Sequence, residues 1–254
     1  MELPVRSTFL PIFIALILAA TVAPRAVAHA SANEQLSIAI VSSDVALARS
    51  AIQAGADVNA DLGDGRTPLI VAAMSTKPLA VKLLLEHGAD PNRRAVDGAI
   101  GNALTAAFFA MNGARLTGRV DEPEPAKRAE AMIVLRLIAA SHPDFDVMVS
   151  RGPTRVSALM IAAEAGAPDV AKVLLDAGAS PNFANDGRFT AIDYAVARAP
   201  VWSQSTAQDR VEVARLLLAA GAQPLRKSAD GLNSVERARK SGNAAMVAML
   251  TAAR

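Results

Sequence analysis

The chain has 254 residues, 52% of them hydrophobic and only 4% aromatic, and a formal net charge of +2. That charge is too small to argue for a nucleic-acid surface, which needs a basic patch. The absence of cysteine excludes disulfides, thiolate metal sites and cysteine nucleophiles. Much of the apolar content is Ala, Val and Leu, which favours helices over a thick aromatic core.

The first element is an export signal over residues 1–30. Arg6 supplies a short positive region, FLPIFIALILAATVA (9–23) an apolar core, and Ala28-His29-Ala30 the small residues that a signal peptidase reads. Cleavage is expected after Ala30, with Ala28 as second choice. The apolar run is shorter than the roughly 20 residues of a membrane span; retained uncleaved, it would act as an anchor. Loss of Arg6, Arg25 and Glu2 would lower the net charge from +2 to +1. An exported chain without cysteine points to a bacterial periplasm or the outside medium, because small secreted eukaryotic domains often lean on disulfides.

Beyond the signal one string recurs: AGADVN at 54–59, HGADPN at 87–92, AGASPN at 177–182 and the shortened AGAQP at 220–224. Before HGADPN lies VKLLLE (81–86), whose apolar spacing covers one helix face. Gly88 then takes the left-handed conformation that ends a helix, and Asp90, Pro91 and Asn92 turn the chain. The matching start signal is DGRTPLIVAA (64–73). Asp64-Gly65 reads as a hairpin-type turn, Thr67 as an N-cap and Pro68 as the first helical residue. Leu69, Ala72 and Ala73 form an apolar stripe. The unit is turn, short helix, second helix, glycine stop, turn.

This unit resembles the ankyrin repeat, with Thr67-Pro68-Leu69-Ile70 as its opening and Ile70 in place of the usual His. The leucine-type position recurs as Leu36, Leu69, Leu104, Leu159, Ile192 and Val235, with gaps of 33, 35, 55, 33 and 43 against a family period of 33. The resemblance implies an all-α solenoid of stacked helix-turn-helix units with short hairpin turns. In chain order the repeats are 31–59, a capping unit; 60–92; 93–146, with an insertion near 111–129 and the degenerate ending ASHPDFD; 147–182; 183–224, with an insertion near 197–209; and 225–254, the C-terminal cap. Both insertions join a first helix to a second, so both are expected to project as loops from one end of the stack.

A stack of this kind has no enclosed cavity by default, and the family resemblance implies a protein partner held on turn tips and inner helices. No catalytic signature of the GxSxG, P-loop or HExxH type occurs. Of the three histidines, His29 leaves with the signal, His87 sits at a repeated helix end and His142 in the degenerate ending. Asp57, Asp64, Asp90 and Asp186 fall in turns, where Asp bonds backbone. The acidic cluster Asp121, Glu122 and Glu124 matches no calcium loop and reads as solvated surface. No catalytic residue, cofactor, metal, nucleic acid or small-molecule substrate is expected. Candidate partner-binding residues are Arg66, Arg155, Arg188 and Phe189 on or near turn tips, and Trp202, the one tryptophan, in the second insertion. Trp202 reads equally as a lid over the core edge. The basic residues of the last repeat, Arg237 among them, read as keeping the cap soluble. The leading reading is a non-catalytic, exported, protein-binding scaffold resembling periplasmic bacterial ankyrin proteins. The others are an immunity-type inhibitor or host-directed effector, and a periplasmic hydrolase using carboxylates from neighbouring turns.

Overall fold

A computed structural model describes residues 30–96, 100–112, 125–151, 154–197 and 206–252. Residues 1–29 of the expected export signal, Trp202, the Asp121–Glu122–Glu124 cluster and most of both insertions lie outside the described residues.

Twelve helices among the described residues form six consecutive pairs. The first three pairs are α1 (Ala32–Ser42) with α2 (Val45–Gln53), α3 (Pro68–Met74) with α4 (Pro78–Glu86), and α5 (Ala103–Asn112) with α6 (Pro125–Ala139). They are followed by α7 (Ala158–Ala165) with α8 (Pro168–Asp176), α9 (Ala191–Val196) with α10 (Ala207–Ala219), and α11 (Ser234–Lys240) with α12 (Ala244–Ala252). The first helix of each pair packs on the first helix of the next, and second on second, which makes an inner and an outer layer. Leu36, Leu69, Leu104, Leu159, Ile192 and Val235 all lie in the core between them. The small residues of the inner helices, such as Ala72, Ala107, Ala162 and Ala195, are fully buried and let the layers approach closely.

Local chemistry sets each start and stop. Thr67 Oγ1 accepts the Ile70 N–H at 3.3 Å, and Pro68 opens α3 where its missing N–H leaves no bond unmade. Asn102 and Thr105 cap α5 reciprocally, each backbone N–H donating to the other's side chain. At the far ends Gly55, Gly88, Gly178 and Gly221 have φ of 94°, 83°, 108° and 91°. The alanine after each of these four glycines donates its N–H back into the outer helix, as Ala89 does to Leu84 O at 2.9 Å, the closure of a Schellman motif. In the degenerate ending His142 holds the glycine position, with φ 52°.

The asparagine of the recurring string does more than turn the chain. Asn59 Nδ2 donates to Gly88 O at 3.1 Å while its Oδ1 accepts the Asp90 N–H at 2.7 Å, so each side chain staples its own repeat to the next. Asn182 repeats the pattern with Gly221 O (2.8 Å) and the Gln223 N–H (2.9 Å). Asn92 Oδ1 accepts the Asp144 N–H at 2.6 Å.

The turns form a third element of the stack. Asp64 and Gly65 both have positive φ (56° and 71°), the geometry of a tight hairpin turn. Before α7 the turn widens into the hairpin β1 (Val149–Arg151) and β2 (Thr154–Val156), with Val149 opposite Val156. Neighbouring turns are tied edge to edge: the Val96 N–H donates to Asp64 O at 2.8 Å and the Ala229 N–H to Gly187 O at 2.9 Å. Both inserted segments are shorter as loops than the sequence suggested. Residues 111–112 belong to α5, α6 begins at Pro125 and α10 at Ala207, so these outer helices run to 15 and 13 residues against 9 in α2, α4 and α8. Pro125 opens its helix as Pro78 and Pro168 do.

Candidate binding surface

Two surfaces are left outside the core: the open side of the inner helices and the row of turns. On the inner helices, several residues two or five places after a core leucine are left half-exposed, while Ala106 and Ile161, two places after Leu104 and Leu159, are buried. The half-exposed ones include Ile38 and Val41 on α1, Val71 and Met74 on α3 and Phe109 on α5, then Glu164 on α7, Tyr194 on α9 and Arg237 on α11. The face is apolar at the N-terminal end and polar, with an aromatic, at the C-terminal end. Half-buried Val71, Met74, Phe109 and Tyr194 rest on the core.

At the polar end a hydrogen-bonded cluster joins the last two pairs. Asp193 is 4% exposed and accepts from the Thr190 N–H (2.9 Å), Thr190 Oγ1 (3.2 Å) and Ser234 Oγ (2.7 Å). Arg237 Nε lies 3.7 Å from the same carboxylate, and its Nη2 donates to Ser228 Oγ at 2.8 Å and pairs with Asp230 at 3.0 Å. Its guanidinium sits 5.0 Å over the Phe189 ring, which meets Tyr194 edge-on at 6.3 Å. The expectation that Arg237 simply keeps the cap soluble is therefore corrected: its side chain is 18% exposed and bridges two repeats. The Asp230 carboxyl is held below its ordinary pKa, chiefly by the Ser228 hydroxyl and secondarily by the Leu232 N–H and Arg237. Beneath the outer layer Arg210 is buried, its Nε and Nη2 both donating to Ala195 O at the end of α9 (3.1 and 3.0 Å). Burial lowers its pKa, and the carboxylate of Glu164 opposes that shift.

The candidate turn residues separate into groups. Arg155 on β2 and Arg188 are exposed and stand on neighbouring turns, joined where Asn185 Nδ2 donates to Arg155 O at 3.0 Å. Arg188 holds a left-handed conformation (φ 59°) at its turn tip. Phe189 is half-buried and engaged by Tyr194 and Arg237. Arg66 is half-buried at the base of a turn two repeats before that of Arg155. The structure thus brings Arg155, Arg188 and Phe189 to one region and leaves Arg66 apart. Sequence reading missed Tyr194, Asn185 and Asp193, whose partners lie up to 41 residues away.

The residues weighed for chemistry have structural bonds. His87 Nδ1 lies 2.9 Å from Leu83 O, while Asp57 and Asp90 accept the N–H groups of Asn59 and Asn92, both at 2.8 Å, in Asx turns. Among the described residues no three His, Asp or Glu side chains are grouped to hold a metal ion, and no helix is long and apolar enough to cross a membrane.

This stacked-pair architecture with projecting turns is that of a repeat protein, and its family is identifiable. The model for ankyrin repeats (three copies) matches residues 14–110 and 126–228, and the chain belongs to the ankyrin-repeat family, whose members are generally non-catalytic binding scaffolds for other proteins. No curated protein matches the chain. Among solved structures it is similar to an ankyrin repeat domain from Acinetobacter baumannii AYE, with TM-score 0.66, 24% identity, and coverage of 86% of this chain and 96% of that one. It is also similar to a chain in the complex of the Bd0816 predatory endopeptidase with immunity protein Bd3460 from Bdellovibrio bacteriovorus (TM-score 0.61, 21% identity, 87% and 98% covered). The ankyrin repeat protein EF0377 aligns with TM-score 0.65 and 22% identity over 86% and 97% of the two chains. At these identities the likeness is one of fold.

Proposed function

We propose that the chain is a non-catalytic scaffold, exported to the bacterial periplasm, that grips a protein partner across its inner helices and C-terminal turns. The observation that carries this reading is the continuous inner face: half-exposed apolar residues on α1, α3 and α5 run on into Glu164, Tyr194 and Arg237, beside the exposed Arg155 and Arg188. Such a surface offers apolar area for anchoring and arginines for orientation, the two ingredients of an interface hot spot. The turn carboxylates Asp57 and Asp90 are committed to their own loops.

Export is supported by the apolar stretch 9–23 and the Ala28-His29-Ala30 sequence. N-terminal sequencing of the protein recovered from a periplasmic fraction should begin at Ser31; recovery of the intact Met1 terminus from the cytoplasm would overturn this part. For the binding reading, affinity capture from a periplasmic extract should return one dominant protein. The double variant Arg155→Glu with Arg188→Glu should lower its recovery at least tenfold with the fold intact. Recovery that is unchanged in that variant and in Met74→Glu would exclude both parts of the surface.

A second reading, an immunity-type inhibitor, is favoured by the fold similarity to the complex containing an immunity protein. It uses the same surface. The captured partner would then be a hydrolase whose turnover falls when stoichiometric scaffold is added.

A further inference from the structure

The outer helices carry a surface that the proposed binding face does not use. Six residues before the left-handed residue ending each of the first five outer helices stand Arg49, Lys82, Arg136, Lys172 and Arg215. All five are exposed, and the outer helices stack side by side. They form one row of cations with a charge about every 10 Å, the distance between packed helices. One helical turn earlier on the same face lies a second row: Ala46, Leu79, Ile133, Asp169 and Glu212.

The two rows change character midway. In the fourth and fifth pairs the cations are matched by acids: Lys172 with Asp176 at 3.0 Å, and Arg215 with Glu212. In the first three pairs the second row is aliphatic, with Leu79 66% and Ile133 48% exposed. Helices α2, α4 and α6 together carry five basic side chains and two carboxylates, Glu86 and Glu130, with Arg128 paired to Asp169 of α8 at 2.8 Å. Lys82 lies 3.9 Å from Glu86.

We propose that this outer face of the first three helix pairs docks on the surface of an anionic phospholipid membrane. Charge complementarity names the occupant. Headgroup phosphates attract Arg49, Lys82 and Arg136, and the interface beneath admits Leu79 and Ile133. A protein of fixed shape is gripped by an anchor seated in a pocket. Two aliphatic side chains standing singly on adjacent helices make no pocket, yet a deformable lipid interface takes each of them separately.

The test is flotation of the full chain with vesicles of phosphatidylethanolamine and phosphatidylglycerol, against vesicles of phosphatidylcholine, at low and high salt. Residues 9–23 are common to every variant, so the differences between variants report the outer face. The wild-type chain should prefer the anionic vesicles and lose that preference with salt. Arg49→Glu with Arg136→Glu should lower binding to anionic vesicles roughly 25-fold or more, since each charge near such a surface is worth about fivefold. Leu79→Ser with Ile133→Ser should lower it about tenfold. Lys172→Glu with Arg215→Glu should leave it unchanged. No anionic preference in the wild type, an unaltered preference in the Arg49 and Arg136 variant, or an equal loss in the Lys172 and Arg215 variant would each overturn the proposal. So would outer-face binding confined to an acidic protein. All substituted positions are exposed, and unchanged helical circular dichroism verifies the fold.

Discussion

Asp146 occupies the position that Asn59, Asn92 and Asn182 hold in the other repeats, at the junction between the third and fourth pairs. A carboxylate has no N–H to donate to the next glycine carbonyl, so that bond of the staple is lost there. Partial desolvation, and then the neighbouring Asp144 charge, raise the pKa of the exposed Asp146 carboxyl. A carboxyl raised in the folded state supports folding while it is protonated. That support is lost as pH climbs from the ordinary carboxylate range through the raised value, leaving a penalty at neutral pH. Asp146→Asn should therefore stabilise the protein by about 1 kcal/mol at pH 7, the net worth of one hydrogen bond. The gain should shrink toward pH 4, as urea midpoints at the two pH values would reveal. Asn182→Ala, by contrast, removes two bonds to the end of the fifth repeat and should cost about 1–2 kcal/mol. Glu34 behaves oppositely: the Ser31 backbone N–H and then its hydroxyl hold the carboxyl below its ordinary value. Its capping support is present above the usual carboxylate pKa and fades as pH falls through the lowered one. At this scale the sequence was only half legible. Gly88 and Thr67 act on residues within five places of themselves, so their roles can be read directly. Asn59 acts on a carbonyl 29 residues on, which no local pattern displays.

Among the elements, α5 is placed by its entry turn. Gly101 has φ 73°, and a Cβ there would stand 2.6 Å from both Thr105 Oγ1 and Val149 Cγ1 of the following hairpin. Gly101→Ala combines backbone strain with overlap and should lower stability by roughly 2–3 kcal/mol in thermal denaturation. Gly55, whose Cβ would meet nothing within 4 Å, should cost less when changed in the same way. At the other end, the link between α9 and α11 depends on Arg237. Arg237→Ala leaves the buried Asp193 without its cation and uncovers Phe189. It should loosen the last pair by about 1–3 kcal/mol and speed proteolysis near residues 225–252, with little effect on the first four pairs. The Thr–Pro starts and glycine stops of α3 and α4 could be read from sequence because capping is local. The backward extension of α6 to Pro125 and of α10 to Ala207 could not. In both places the Pro- and charge-rich composition that suits a loop also suits the first, exposed turn of a helix.

For the molecule as a whole, stability is a sum of pair and neighbour terms, because each described helix pair packs on the pairs next to it. Leu104, fully buried in α5, sits midway along the stack. Leu104→Ala should cost about 3 kcal/mol and weaken the coupling between the two halves. Far-ultraviolet circular dichroism averages over all helices, while the near-ultraviolet signal of Tyr194 on α9 reports the C-terminal half. The two unfolding curves should coincide in the wild type and separate in the variant. The sequence by itself determined the repeating unit, its period, its stops and the all-helical class, because those rest on backbone conformations and a hydrophobic stripe that repeat with the chain. Only the tertiary structure decided which asparagines staple, that Arg237 bridges two repeats, and that Leu79 and Ile133 share an exposed face with Arg49, Lys82 and Arg136. The physical reason is stacking: it sets side by side residues that the chain holds a repeat or more apart.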